Sequence, residues 1–320
     1  MLLTSLSVLL PVLFVILLGY WAGRSHRFDA DQVKGINALV LDFAFPALMF
    51  VGISSTTRRE MLAEMPFLLA LFIGFAGFYV LALLIGRHLL RHNLGAAALL
   101  ACSVSFPSVA FMGVPIFKDL FGHSSLLSVS AANALGILIV VPATVVLLEI
   151  DASRAKLAGA SAAPVKDDHV IRSALISSFR KPVVWAPLLA FLLVLVDLRV
   201  PAEMESMLRL IGATTSGVAL FASGLVSAAF KLKIDLEIIG NVIAKMVIQP
   251  LCMVAIVFLI GVSAPLSHEA ILICAIPTAV FPSLLAPRYD VYVSECASTL
   301  ILTTIVMVVT FPLALMLVGT

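Results

Sequence analysis

Apolar runs of roughly 20 residues, separated by short clusters of charge, fill the chain from end to end. A helix rising 1.5 Å per residue needs about that many residues to cross a ~30 Å hydrocarbon layer. In lipid each backbone N–H and C=O has to be paired within the segment, so such runs predict spanning helices. The ~10-residue alternating strands of a membrane barrel are absent. The pattern predicts ten helices, over 5–23, 36–55, 65–86, 94–117, 125–149, 182–200, 207–229, 238–261, 270–287 and 296–318. The longest interruption, 150–181, is rich in Ala, Ser and Gly over Ala152–Pro164 and then charged. It reads as a flexible connector between an N-terminal five-helix half (1–149) and a C-terminal one (182–320).

Lysine and arginine set the orientation. Loops after the odd-numbered segments carry 14 of the 20, those after the even-numbered ones carry 5, and Lys245 lies inside the eighth segment. The odd loops, the 150–181 connector among them, are therefore expected in the cytoplasm and both termini outside. Residues 1–23 lack a basic leading region, and Arg24 and Arg27 follow the apolar run, the reverse of a cleaved signal. The first segment reads as a retained helix.

Five helices per half is an odd number, so two similar halves would be inverted. Pro107 and Pro277 are 170 residues apart, as are Pro142 and Pro312; at the same offset Ser108 meets Thr278 and Phe111 meets Phe281. PALMFVGIS (46–54) lies over GVALFASGL (217–225), and PVLFVILLG (11–19) over PLLAFLLVL (187–195). The order is shared, which predicts an all-α membrane protein built as a 5+5 inverted repeat. Such repeats are a transporter architecture, with the site between them at the membrane midplane.

Composition agrees and narrows the choice. Of 320 residues 62% are hydrophobic and 12% charged, with mean hydropathy +1.17, whereas soluble domains keep about a quarter charged. A net charge of +2 gives no argument for nucleic acid. Cys102, Cys252, Cys274 and Cys296 are scattered without metal or redox spacing and read as small buried hydrophobes. His88 and His92, beside Arg87 and Arg91, read as an interfacial basic cluster. No cofactor is called for.

The fourth segment contains ACSVSFPSVAFMGVPIF (101–117) and the ninth CAIPTAVFPSLLAPRY (274–289), with Pro107 and Pro277 near their middles. Proline removes a backbone donor and clashes with the carbonyl four residues back. Backbone freed at that depth is tolerated where it is buried in protein or lines a cavity. Matched breaks in the two halves point to a transport site, and half-helices starting at Ser108 and Thr278 would aim positive dipole ends at an anion. The other reading is a pair of structural kinks.

These motifs resemble the two crossing helices of the auxin efflux carrier family, which includes plant PIN carriers and bacterial carriers of malonate-like acids. The resemblance extends to LVLDFAFPALMF (39–50), GVALFASGLVSAAFKL (217–232) and KMVIQPLCM (245–253), and so covers both halves. It implies broken, crossing helices 4 and 9, a scaffold and homodimer face made by helices 1, 2, 6 and 7, and a mobile unit made by the rest. Pro107 and Pro277 match the family's crossover prolines. The following residue, typically an amide in the plant carriers, is Ser108 or Thr278 here. Hydroxyls still donate to an oxyanion, so the expected substrate is a small carboxylate rather than indole acetate, held by Ser108, Thr278 and the adjoining Val109 and Ala279.

Other polar groups lie at membrane depth. Asp42, a lone carboxylate within its span four residues before Pro46, carries a coupling proton or is a residue near the cytoplasmic end, hydrated or hydrogen-bonded to a neighbouring hydroxyl. Lys245 snorkels to that face, attracts an anion or pairs with a carboxylate. Asn133 lines the site or joins two helices. Arg288–Tyr289–Asp290 reads as an interfacial anchor. Rival functions find less support. An aspartyl protease needs two carboxylates at depth, and a zinc protease motif fails because Ile273 stands where His268–Glu269 would need a second histidine. A sodium symporter of the related bile-acid type would need a ligand cluster that these spans lack, and a receptor without flux would use the same pocket.

Overall fold

The computed structural model describes residues 2–55, 57–58, 65–121, 125–160, 176, 179–229 and 232–318. Regular structure among them is helical, apart from one antiparallel bridge. The elements are α1 (Leu2–Arg24), α2 (Ala30–Ser54), α3 (Met65–Leu89), α4 (Leu94–Ser105), α5 (Val114–Phe121), α6 (Ser125–Ala160), α7 (Pro182–Leu195), α8 (Ala202–Ala229), α9 (Leu236–Ile260), α10 (Leu266–Cys274), α11 (Phe281–Tyr289) and α12 (Val293–Val318). Six of these regions are long and apolar enough to cross a membrane: α2, α3, α9, α12, and stretches of α6 and α8.

Caps and prolines set the boundaries. Asp29 and Gln32 form a reciprocal capping box at the start of α2. Asn93 and Asp235 accept amide hydrogens at the starts of α4 and α9. Within α2 and α9 the helix widens into π turns, Val40–Ala44 and Ala244–Ile248, and each runs into a proline, Pro46 or Pro250. A proline leaves the carbonyl four residues back without its usual donor, and a π turn absorbs that defect, often at functional sites. Asp42 and Lys245 lie in these two turns.

Several boundaries differ from expectation: α2 begins at Ala30 rather than 36 and α8 at Ala202 rather than 207. Helix α6 runs on to Ala160, eleven residues into the predicted connector, because the stretch is rich in alanine, the strongest helix former. Helix α7 stops at Leu195, and Asp197 takes a positive φ of 55° in the turn that follows.

Helices α1, α2, α7 and α8 pack chiefly on one another, while α4 lies between α3 and α6, and α10 between α9 and α12. Glycine permits the closest of these approaches, that of α1 to α8. A Cβ on Gly19 would stand 2.1 Å from the carbonyl oxygen of Phe221, and one on Gly224 would stand 2.2 Å from that of Ile16. Small residues serve this purpose between membrane helices, where van der Waals packing rather than water exclusion drives association. Large apolar side chains, Phe14, Trp21, Leu192 and Met207 among them, cover the outer faces, as a hydrocarbon environment favours.

Candidate functional site

The fourth and ninth apolar segments are both broken at their prolines. Helix α4 ends at Ser105, three residues follow without helix, and a π turn at Val109–Gly113 leads into α5. Helix α10 ends at Cys274, and α11 begins at Phe281. The two gaps touch each other. Pro107 and Thr278 face one another in an antiparallel bridge, closed by Ser108 N–H to Pro277 O (2.9 Å) and Ala279 N–H to Phe106 O (2.8 Å). Neither proline can donate, and the bridge takes its N–H groups from Ser108 and Ala279, the residues after the bridged pair.

This changes the expected anion contacts. The Ser108 and Ala279 amides close the crossing rather than await a ligand, and the Thr278 amide makes a long bond to Thr303 Oγ1 (3.4 Å). The hydroxyls are different. Ser108 is 2% exposed and Thr278 1%, yet neither Oγ nor Oγ1 has a hydrogen-bond partner among the described residues. Leaving one such group buried and unpaired costs about 1–3 kcal/mol, so two beside one bridge require a reason. Val109 is buried with them. Asn133 is half-buried on α6, one turn from Gly136, where a Cβ would come within 2.5 Å of the Phe106 ring. That turn of α6 therefore looks onto the crossing.

Lys245 does not snorkel, and among the described residues it meets no carboxylate. It is fully buried, and its ammonium donates to Gln249 Oε1 (2.6 Å) and to the carbonyl of Cys274 (3.0 Å). Gln249 donates in turn to the carbonyl of Ser105 (2.8 Å). One turn of α9 thus holds the last residues of both α4 and α10.

Asp42 also departs from expectation, because it is not alone. Arg288, at the end of α11, donates to its carboxylate at 2.6 Å, and both side chains are partly exposed. Beside the pair lies a cavity of about 300 Å³ lined by Lys34, Asn37, Asp42 and Arg288. Asn37 is buried there, donating to Leu284 O (2.7 Å) with its Oδ1 unpaired. Next to Arg288, the Tyr289 hydroxyl donates to Glu149 (2.6 Å), and Lys181 reaches both Glu149 and Tyr289. Burial lowers Lys181 from the ordinary lysine range, while Glu149 pulls the other way. Arg288 and Tyr289 therefore link helices rather than merely anchor an interface.

The family model described as "Membrane transport protein" matches residues 4–315. The chain belongs to that family. The resemblance to the auxin efflux carriers holds across the chain. Among its relatives, "Uncharacterized transporter YfdV" of Escherichia coli is 32% identical over 309 residues, covering 95% of each chain. "Putative malonate transporter" of Rhizobium meliloti is 24% identical over 315 residues, covering 95% of this chain and 92% of its own. "Lysosomal cholesterol signaling protein" of mouse is 25% identical over 325 residues, 94% of this chain but 36% of that protein.

Within this membrane transport protein, sequence reasoning passed over Gln249, Asn37 and Thr303. Gln249 was visible as the residue one helical turn after a buried lysine and immediately before a proline. Asn37 had a weaker mark, lying five residues before Asp42 on an amphipathic stretch. Thr303, which touches the crossing from α12, carried no signal beyond a hydroxyl in an apolar span.

Proposed function

We propose that this membrane transporter carries small organic anions, mono- or dicarboxylates with malonate the specific candidate, across the cytoplasmic membrane by alternating access. The observation that carries this reading is the pair of buried, unpartnered hydroxyls, Ser108 and Thr278, at the meeting of two broken helices. A carboxylate accepts from hydroxyls without supplying a donor of its own. Backbone interruptions at membrane depth are where such carriers bind their substrates. The name of the Rhizobium meliloti relative supports malonate.

The architecture in this reading is the ten-helix, 5+5 inverted repeat. The broken fourth segment comprises α4 and α5, and the ninth comprises α10 and α11. Helices α1, α2, α7 and α8 form the scaffold and the face of a homodimer. Both termini lie outside. Cysteine tags at 150–181 should react with impermeant reagents only from the cytoplasm, and tags at the termini only from outside. The opposite labelling would remove the orientation and, with it, the inverted arrangement.

Counterflow in proteoliposomes tests the function directly. Vesicles loaded with unlabelled malonate should accumulate radiolabelled malonate, and a panel of acetate, succinate and indole acetate should rank the substrate class. Folded protein that moves none of these carboxylates would overturn the reading. Asp42 enters as the candidate coupling residue. Asp42→Asn should leave exchange intact while abolishing acceleration of uptake by an inward proton gradient, read as the ratio of initial rates with and without that gradient. An unchanged ratio would make the Asp42–Arg288 pair a structural link between α2 and α11.

A further inference from the structure

Cutting a helix in the middle of a membrane creates two kinds of end. The N-terminal ends at a crossing suit an anion; the C-terminal ends present unpaired carbonyls and the negative pole of the dipole. Here two C-terminal ends, those of α4 at Ser105 and α10 at Cys274, come to the same turn of α9. In carriers driven by an alkali cation, unwound carbonyls and half-helix C-termini of this kind coordinate the ion. In this chain the group beside them is a lysine nitrogen, covalently attached. Lys245 Nζ takes the Cys274 carbonyl and Gln249 Oε1 as oxygen partners, at 3.0 and 2.6 Å, and Gln249 ties the same turn to Ser105. The side chain is fully buried, and its pairing is to oxygen dipoles rather than to a carboxylate. The π turn at Ala244–Ile248 sets it there, with Pro250 one residue beyond Gln249.

We infer that Lys245 is a tethered cation occupying the seat that a mobile monovalent cation would take at the crossing, so the carrier needs no sodium, and that removing the ammonium makes the crossing dependent on an added cation. Without the ammonium, Gln249 Oε1 and the Cys274 carbonyl are left buried without that donor, which destabilises the fold. A small cation entering the space left by Lys245→Ala restores the balance. An apolar side chain of similar length, as in Lys245→Met, fills the space without restoring it.

The inference rests on the transport reading for its meaning, but its test does not need a substrate. Purified wild type, Lys245→Ala and Lys245→Met are melted in choline, sodium and methylammonium chloride at equal ionic strength. Wild type should melt alike in all three. Lys245→Ala should melt more than about 5 °C lower in choline and regain at least half of the loss in sodium or methylammonium. Lys245→Met should show no cation-specific recovery. A Lys245→Ala protein that melts with wild type in choline, or that loses the same amount in all three salts, overturns the inference. If Lys245→Ala yields no folded protein, wild-type malonate counterflow in sodium and in choline decides: equal rates are expected, and a sodium requirement overturns it. If no carboxylate is moved at all, the proposed function falls while the melting series still judges Lys245.

Discussion

Ser108→Ala and Thr278→Val will each weaken malonate binding about ten- to a hundredfold, with little loss of folded protein. A hydrogen bond to a charged group is worth roughly 1.5–3 kcal/mol, and every 1.4 kcal/mol is a factor of ten in affinity. Neither hydroxyl has a partner among the described residues, so deleting it breaks none of the bonds seen there. Removing an unpaired buried hydroxyl is, if anything, favourable for folding. This opposition, weaker binding with unchanged or higher melting temperature, separates a ligand contact from a structural one. If both hydroxyls grip one ligand, the double mutant will also depart from additivity. Thr214→Val, whose hydroxyl is exposed on α8 and bonded to Ile211 O, is the control. Titration of purified single and double mutants with malonate reads the effect. Wild-type affinity in both single mutants, for an anion the protein moves, would place the binding site elsewhere.

The local events were legible in the sequence, and the pairings were not. Pro107 and Pro277 announced the breaks, because a proline's missing donor is a property of that residue alone. Whether the two gaps touch depends on the packing of segments 170 positions apart, and the bridge fixes which amides remain for a ligand. Of the half-helix starts expected to present free N–H groups, Ser108 gives its amide to the bridge and Thr278 makes a long bond to Thr303 Oγ1. Asp42 looked alone because its counter-charge lies 246 residues away on α11. Lys245 was recognised as buried, but the carbonyls that receive it belong to helix ends on other segments. Gln249 went unremarked because it completes the link only once Ser105 is beside it. The expectation erred the other way at the alanine-rich end of α6. Its helical propensity was in plain view, yet its polarity and glycines made it read as flexible.

The packing of α1 on α8 allows an equally direct test. Gly19→Ala will lower the melting temperature of the purified protein markedly, because the added Cβ would lie 2.1 Å from the Phe221 carbonyl oxygen and 3.0 and 3.1 Å from that residue's backbone carbons. Backbone atoms of a helix cannot swing aside as a side-chain tip can, so the helices have to part along that turn. Overpacking of this kind costs about 1–3 kcal/mol and sometimes more. A Cβ on Gly224 would likewise stand 2.2 Å from the Ile16 carbonyl oxygen, so there is no slack on the other side. The loss belongs to the α1–α8 contact and not to the crossing, so the fraction that folds should bind malonate with near-normal affinity. Gly240→Ala on α9 is the control. A Cβ there meets nothing within 4 Å, and alanine is favoured over glycine in a helix by about 1 kcal/mol, so that variant should melt with wild type or above it. A Gly19→Ala protein that matched Gly240→Ala in melting would mean that α1 and α8 do not meet backbone to backbone, and the scaffold assigned to α1, α2, α7 and α8 would lose its tightest contact.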